Sequence, residues 1–211
     1  MSARLLYVMD PMCSWCWGFS PIAQALVEQA QAAGVELHLV VGGLRTGNGA
    51  ALEPAARRYI LEHWQAVANA TGQPFTFEGA LPDGFVYDCE PACRAVVAAR
   101  SLAPDCAWAL LKLIQQAFYV QGRDVTQASV LVELAERAGL PRIEFAAAFD
   151  SAEQYGATAA DFTWVQDLGI AGFPTLLAER NGQLALLTNG YQSLEPLSDL
   201  LGRWLERAAS V

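Results

Sequence analysis

Basic residues are scarce in this chain. Its 13 Lys and Arg stand against 22 Asp and Glu, for a net charge of −9. A surface of that sign matches neither nucleic acid nor an anionic membrane, so neither is expected as a partner. Long apolar runs are also lacking. The composition is 54% hydrophobic, enough for a sizeable core, yet no stretch approaches the ~18 uninterrupted apolar residues of a membrane span. Met1-Ser2-Ala3-Arg4 offers no basic n-region leading into an apolar h-region, and no small-residue cleavage site follows. The expectation is a cytoplasmic protein. Low-complexity tracts and self-similar periods are absent. Histidine is limited to His38 and His63, with no His-Glu-x-x-His spacing. Cysteines number 5, and an odd count disfavours a secreted disulfide framework.

What the chain does have is Asp10-Pro11-Met12-Cys13-Ser14-Trp15-Cys16-Trp17-Gly18-Phe19. An apolar run, Leu5 to Met9, precedes it and reads as a buried strand; an apolar-periodic helix follows. Two cysteines spaced Cys-x-x-Cys between a strand and a helix are the sequence form of a thioredoxin-like redox site. A helix start leaves N–H groups unpartnered and favours negative charge. A thiolate at Cys13 would sit at that end, which marks it as the reactive sulfur. Cys16, one turn further in, is the resolving thiol. Trp15 and Trp17 flank the pair and are expected to line a substrate groove. Asp10 is a candidate proton relay or a turn residue. Half of a zinc site and two reduced core residues are the other readings of two close cysteines, but zinc needs four ligands.

Pro21 is expected to bend the first helix. Val35 to Val41 alternates as a second strand, so the chain opens β-α-β with a right-handed crossover. His38 reads as a sheet-face residue. From Arg45 to about Ala160 the strand signal nearly vanishes. Helices are predicted over Glu53–Ala70, Pro91–Ser101, Asp105–Val120, Thr126–Ala138, Pro141–Phe149 and Ala152–Leu168. A loop between Thr71 and Asp88 is expected to border the site. Strand signals return at Gly172–Ala178, turn at Asn181-Gly182 and resume at Gln183–Leu187. Ser193 is the expected N-cap of a last helix carrying Leu197, Leu201 and Trp204. The fold class is therefore α/β, with βαβ … ββα split by a large all-helical insertion. Residues 1–44 and 161–211 form the discontinuous sheet domain, and 45–160 the inserted helical domain.

Cys13-Ser14-Trp15-Cys16 after strand one, the helical block after strand two, and Gly172-Phe173-Pro174-Thr175 before a hairpin together resemble the DsbA family of the thioredoxin superfamily. The run from Asp10 to Phe19, with Ala117-Phe118-Tyr119-Val120 and Gly122-Arg123-Asp124-Val125, resembles its cytoplasmic FrnE-like branch. The resemblance covers nearly the whole chain. It implies a thioredoxin-like fold and a thiol–disulfide oxidoreductase acting on protein or small-molecule disulfides. It also implies a cis-proline at Pro174 opposite the thiols, with Phe173 and Thr175 beside it, and Ser14 and Trp15 tuning the pair. No cofactor beyond the cysteine pair is implied, though glutathione is a candidate thiol partner. Ser14-Trp15 stands where DsbA has Pro-His, so the strength of DsbA as an oxidant does not carry over. Tyr7 stands where thioredoxin-like proteins often bury an acid.

Two other readings stay open. Kappa-class glutathione transferases and 2-hydroxychromene-2-carboxylate isomerases resemble the chain in the inserted helices and in Glu90-Pro91-Ala92-Cys93-Arg94-Ala95, but typically carry serine at the Cys13 position. A thioredoxin-like scaffold can also serve as a non-enzymatic binding or adaptor protein. Cys89, Cys93 and Cys106 are expected to be reduced core residues, the alternatives being a second redox pair or a four-thiolate zinc site with Cys13 and Cys16. His63 reads as a surface residue, and Arg45, Arg57 and Arg58 as a solvated face.

Overall fold

The first strand explains the rest of the sheet. The computed structural model describes residues 3–209, so Met1 and Ser2, where the leader reading began, lie outside it. β1 (Ala3–Met9) is buried from Leu5 onward, as an apolar run must be when a sheet is covered on both faces. It pairs in parallel with β2 (Glu36–Val41) on one side, Leu5 opposite Leu37. On the other side it pairs antiparallel with β3 (Thr175–Arg180), Leu5 opposite Ala178. β4 (Gln183–Asn189) completes the order β2-β1-β3-β4. Asn181 and Gly182 both take positive φ, 51° and 80°, as a tight hairpin turn between right-twisted strands requires.

The β1-to-β2 crossover is α1 (Ser14–Ala32), which continues through Pro21 rather than ending there. Proline removes the N–H that would reach Trp17 O. Gln73 Nε2 supplies the missing donor to that carbonyl at 3.0 Å. α8 (Leu194–Ala209) starts directly after Ser193 and packs beside α1, burying Leu197 and Leu201.

The inserted helices are α2 (Pro54–Thr71), α3 (Glu90–Leu102), α4 (Pro104–Tyr119), α5 (Ala128–Arg137), α6 (Arg142–Phe149) and α7 (Ala152–Asp167). α2, α3 and α4 carry proline in the first turn, where the lost N–H had no partner. α5 starts later than its periodicity suggests because Asp124 Oδ1 accepts from Thr126 N and holds a turn there. Ala92, Ala95, Ala98 and Ala99 give α3 a small-residue surface, buried throughout. Helix residues and the α1 side of the sheet share one hydrophobic core.

α7 runs across the expected boundary between the inserted helices and the returning sheet. It is one helix across residues 160 and 161. Its Val165 packs with Leu6, Val8, Val40 and Leu177 on the sheet's second face. Asp161 Oδ2 accepts from Val41 N at 3.0 Å and pairs with Arg100 at 2.8 Å. The last inserted helix is thus also a sheet layer. The third strand signal is corrected: Gly172 to Pro174 form the bend before β3, not part of it.

Candidate active site

The site is built at the carboxyl end of β1. Asp10 lies fully buried in the turn that follows. Its Oδ1 accepts from Met12 N at 2.8 Å and its Oδ2 from Leu44 N at 2.7 Å. Cys13 N donates to Asp10 O at 3.0 Å, closing the turn. Cys13 is then the N-cap of α1, with extended dihedrals of −87° and 117°, and its carbonyl accepts from Trp17 N. The first-turn N–H groups lack helical acceptors by construction, so the dipole's positive end faces this residue.

The two thiols differ in exposure. Cys13 is 5% exposed and Cys16 is 0% exposed. Burial first, then the neighbouring Cys13, pushes the Cys16 thiol well above its usual range, so it stays protonated at neutral pH. Tyr7, at the position of the missing acid, is buried beside the pair. Burial and then the sulfurs of Cys16 and Cys13 hold its phenol protonated.

The chain returns to the thiols 160 residues later. Cys13 Sγ lies 3.8 Å from Phe173 O, a long thiol-to-carbonyl contact, and the Phe173–Pro174 peptide bond is cis. Gly42 makes room for this arrangement: a Cβ there would sit 2.0 Å from the Phe173 ring. Thr175 does not face the cavity. Its Oγ1 donates to Gly172 O at 2.9 Å and lies 3.1 Å from Asn189 Oδ1, bracing the bend from behind.

A cavity of about 370 Å³ opens over Cys13. Its floor is Met12, Cys13, Ser14 and Trp15, with Phe173 at one side. Leu44 and Arg45 from the loop after β2, and Tyr59, Ile60, His63 and Trp64 from α2, form the remaining wall with Tyr87. The Tyr87 hydroxyl donates to Met12 O at 2.6 Å, tying the long loop to the site as expected. A second cavity of about 400 Å³ lies against the sheet's other face, around His38 and Asp161, and shares no lining residue with the first.

Several expectations change. Trp17 does not line the groove. It points into the core, stacks on Tyr119 and donates to Pro74 O at 2.9 Å; two residues after Trp15, it falls on a different helix face. Asp10, expected as a turn residue or a proton relay, makes its side-chain bonds to Met12 N, Leu44 N and the thiols of Cys93 and Cys89. His63 is exposed but belongs to the wall, edge-on to Trp15. Arg45 also reaches the wall, lying over Tyr87. Arg57 instead donates to Ala80 O. Tyr87 lies in the expected loop and Tyr59 and Ile60 in the expected helix, but no local pattern singles out these residues or Leu44.

A cysteine pair whose first member caps the helix after the first strand, with a proline-bearing bend beside that first thiol, defines a thioredoxin-type site. The chain belongs to the family of DSBA-like thioredoxin domains, matching over residues 4–202. It is similar to a candidate protein disulfide isomerase from Nitrosomonas europaea, at 42% identity and TM-score 0.89, covering 98% of this chain and 99% of that one. It is also similar to the cytosolic disulfide reductase DsbM from Pseudomonas aeruginosa, at 35% identity and TM-score 0.79, covering 98% of both chains. DsbM has also been solved with GSH, and that structure is 32% identical, with TM-score 0.76, over 99% of this chain and 100% of that one. Among curated proteins, the ClpXP adapter protein SpxH of Halalkalibacterium halodurans is 25% identical over 80% of this chain and 56% of its own length. The chain thus spans about half the length of the curated relatives it matches. No described helix is long and apolar enough to cross a membrane.

Proposed function

We propose that this chain is a cytoplasmic thiol–disulfide oxidoreductase with Cys13 as nucleophile and Cys16 as resolving thiol. The observation that carries this reading is the asymmetry of the pair: Cys13 on the cavity floor at a helix N-cap, Cys16 sealed behind it. The Cys13 thiolate attacks one sulfur of a substrate disulfide; that S–S bond breaks and the first substrate thiolate leaves. Cys16, losing its proton as it attacks, then displaces the second thiolate from Cys13. The substrate gains two electrons and the protein holds a Cys13–Cys16 disulfide. Two molecules of a small thiol such as glutathione restore the dithiol and leave as their own disulfide. An extended substrate would lie along the Phe173 backbone, as an added strand does. Similarity to DsbM, a cytosolic disulfide reductase, supports both the chemistry and the compartment.

The test is turnover of a glutathionylated peptide with excess glutathione. Catalysed thiol release that disappears in Cys13→Ser supports the reading. Equal rates for Cys13→Ser and the parent overturn it. Similarity to SpxH supports a second reading, a protein-binding adaptor; that reading predicts binding without turnover.

A further inference from the structure

Three titratable side chains that the redox step does not use converge beneath the active-site turn. Asp10, Cys89 and Cys93 are each 0% exposed. Their carboxylate oxygen and two sulfurs all lie within 4.8 Å of one another. They arrive from two places in the chain: Asp10 from the turn after β1, and Cys89 and Cys93 from the N-cap and first turn of α3.

The surroundings are donors. Successive backbone N–H groups of the loop after β2 aim at the cluster. Leu44 N donates to Asp10 Oδ2 at 2.7 Å, Arg45 N to Cys89 Sγ at 3.2 Å, and Gly43 N toward Cys93. Consecutive amides pointing at one locus form an anion-binding nest. Gly43 takes φ +66°, and a Cβ there would meet the Phe162 ring at 2.8 Å, so the loop is pressed into this conformation. These donors reach both the carboxylate and the two sulfurs, while burial holds the thiols protonated until a cation compensates the charge.

A disulfide is the poorer use of this pair. Cys93 N donates to Cys89 O at 3.0 Å, a helical turn. Such a turn sets Cβ atoms about 5–6 Å apart, against about 3.5–4.5 Å for a disulfide. A bridging cation has no such requirement. Tetrahedral zinc with Zn–S of about 2.3 Å and Zn–O of about 2.1 Å places the sulfur and the oxygen about 3.6 Å apart. Cys93 Sγ stands 3.6 Å from Asp10 Oδ2.

We infer that Asp10, Cys89 and Cys93 form a buried site for one thiophilic divalent cation of the zinc class, supplying three of its ligands. The charge balances. The empty cluster carries one carboxylate and two neutral thiols, a total of −1. Binding M²⁺ forms two metal–thiolate bonds and releases two protons, and the total remains −1. The same N–H groups therefore solvate both states. The bound cation would clamp the turn carrying Cys13 to the first turn of α3.

The probe is zinc alone, added to the reduced full chain with Cys13→Ser and Cys16→Ser in place, so that the redox pair cannot hold it. Dialysis and elemental analysis should find one zinc per chain. Adding Cys89→Ser or Cys93→Ser to this background should weaken binding at least about tenfold. Cobalt in place of zinc should show a thiolate-to-cobalt charge-transfer band, a readout that needs no ligand variant to fold. Zinc-free protein after dialysis, zinc retained equally by both serine variants, or cobalt without the thiolate band would each overturn the inference.

Discussion

Cys13 Sγ and Phe173 O meet at 3.8 Å across 160 residues of sequence. The first closes β1 and caps α1; the second closes the insertion and precedes β3. The chain leaves the cavity wall at Leu44 and Arg45 after β2 and returns to it at Phe173 before β3, and α2 and the long loop between them complete the wall.

Removing the resolving thiol should expose the intermediate. With Cys16→Ser, incubation with oxidised glutathione should leave one glutathione per chain on Cys13, visible by mass spectrometry. Cys13→Ser should carry no such adduct at either position, because Cys16 is sealed and its thiol held protonated. An adduct on Cys16 in Cys13→Ser would reverse the assigned roles.

Gly42 should matter to chemistry through Phe173. A methyl at this position must displace the Phe173 ring, 2.0 Å from the ideal Cβ. Gly42→Ala should lower turnover of a disulfide substrate several-fold while the helical content by circular dichroism stays at the parent level. Parent-level turnover would show that Phe173 has no part in presenting the substrate.

Gln73→Ala should destabilise the protein by about 0.5–1.5 kcal/mol, because the Trp17 carbonyl above Pro21 loses its donor. Urea unfolding reads this directly, and an unchanged midpoint would mean that water replaces the amide at no cost.

His38 should give the stability a pH dependence. Burial first, then Arg100 and Arg4, lower its pKa in the folded chain from the usual 6.5. Below about 6.5 the unfolded chain binds the proton more readily. Stability should therefore rise with pH across the window between the lowered value and 6.5, and fall as pH drops through it. His38→Gln should flatten that slope in thermal melts recorded at successive pH values.

Local signals were legible in the sequence, and convergent ones were not. β1, the cysteine spacing, the Asn181-Gly182 turn and most helix positions follow from patterns a few residues long, and they appear where expected. The pairing of Phe173 with Cys13 was reached through family resemblance, since no local pattern links residues so far apart. Trp17 was misplaced because proximity in sequence to Cys16 says nothing about which helix face enters the core. Tyr87 and His63 reach the site only through the packing of a loop and of α2, which periodicity cannot orient. Asp10, Cys89 and Cys93 meet only because α3 starts against the β1 turn.

The redox couple itself is the most direct measurement. The reduced chain is equilibrated in buffers of graded glutathione ratio, quenched with an alkylating reagent and read by peptide mass spectrometry. A Cys13–Cys16 redox pair predicts one reversible two-electron transition, in which those two thiols become a disulfide while Cys89, Cys93 and Cys106 remain alkylated. Full alkylation of Cys13 and Cys16 at every ratio, or a disulfide formed elsewhere in their place, would contradict it.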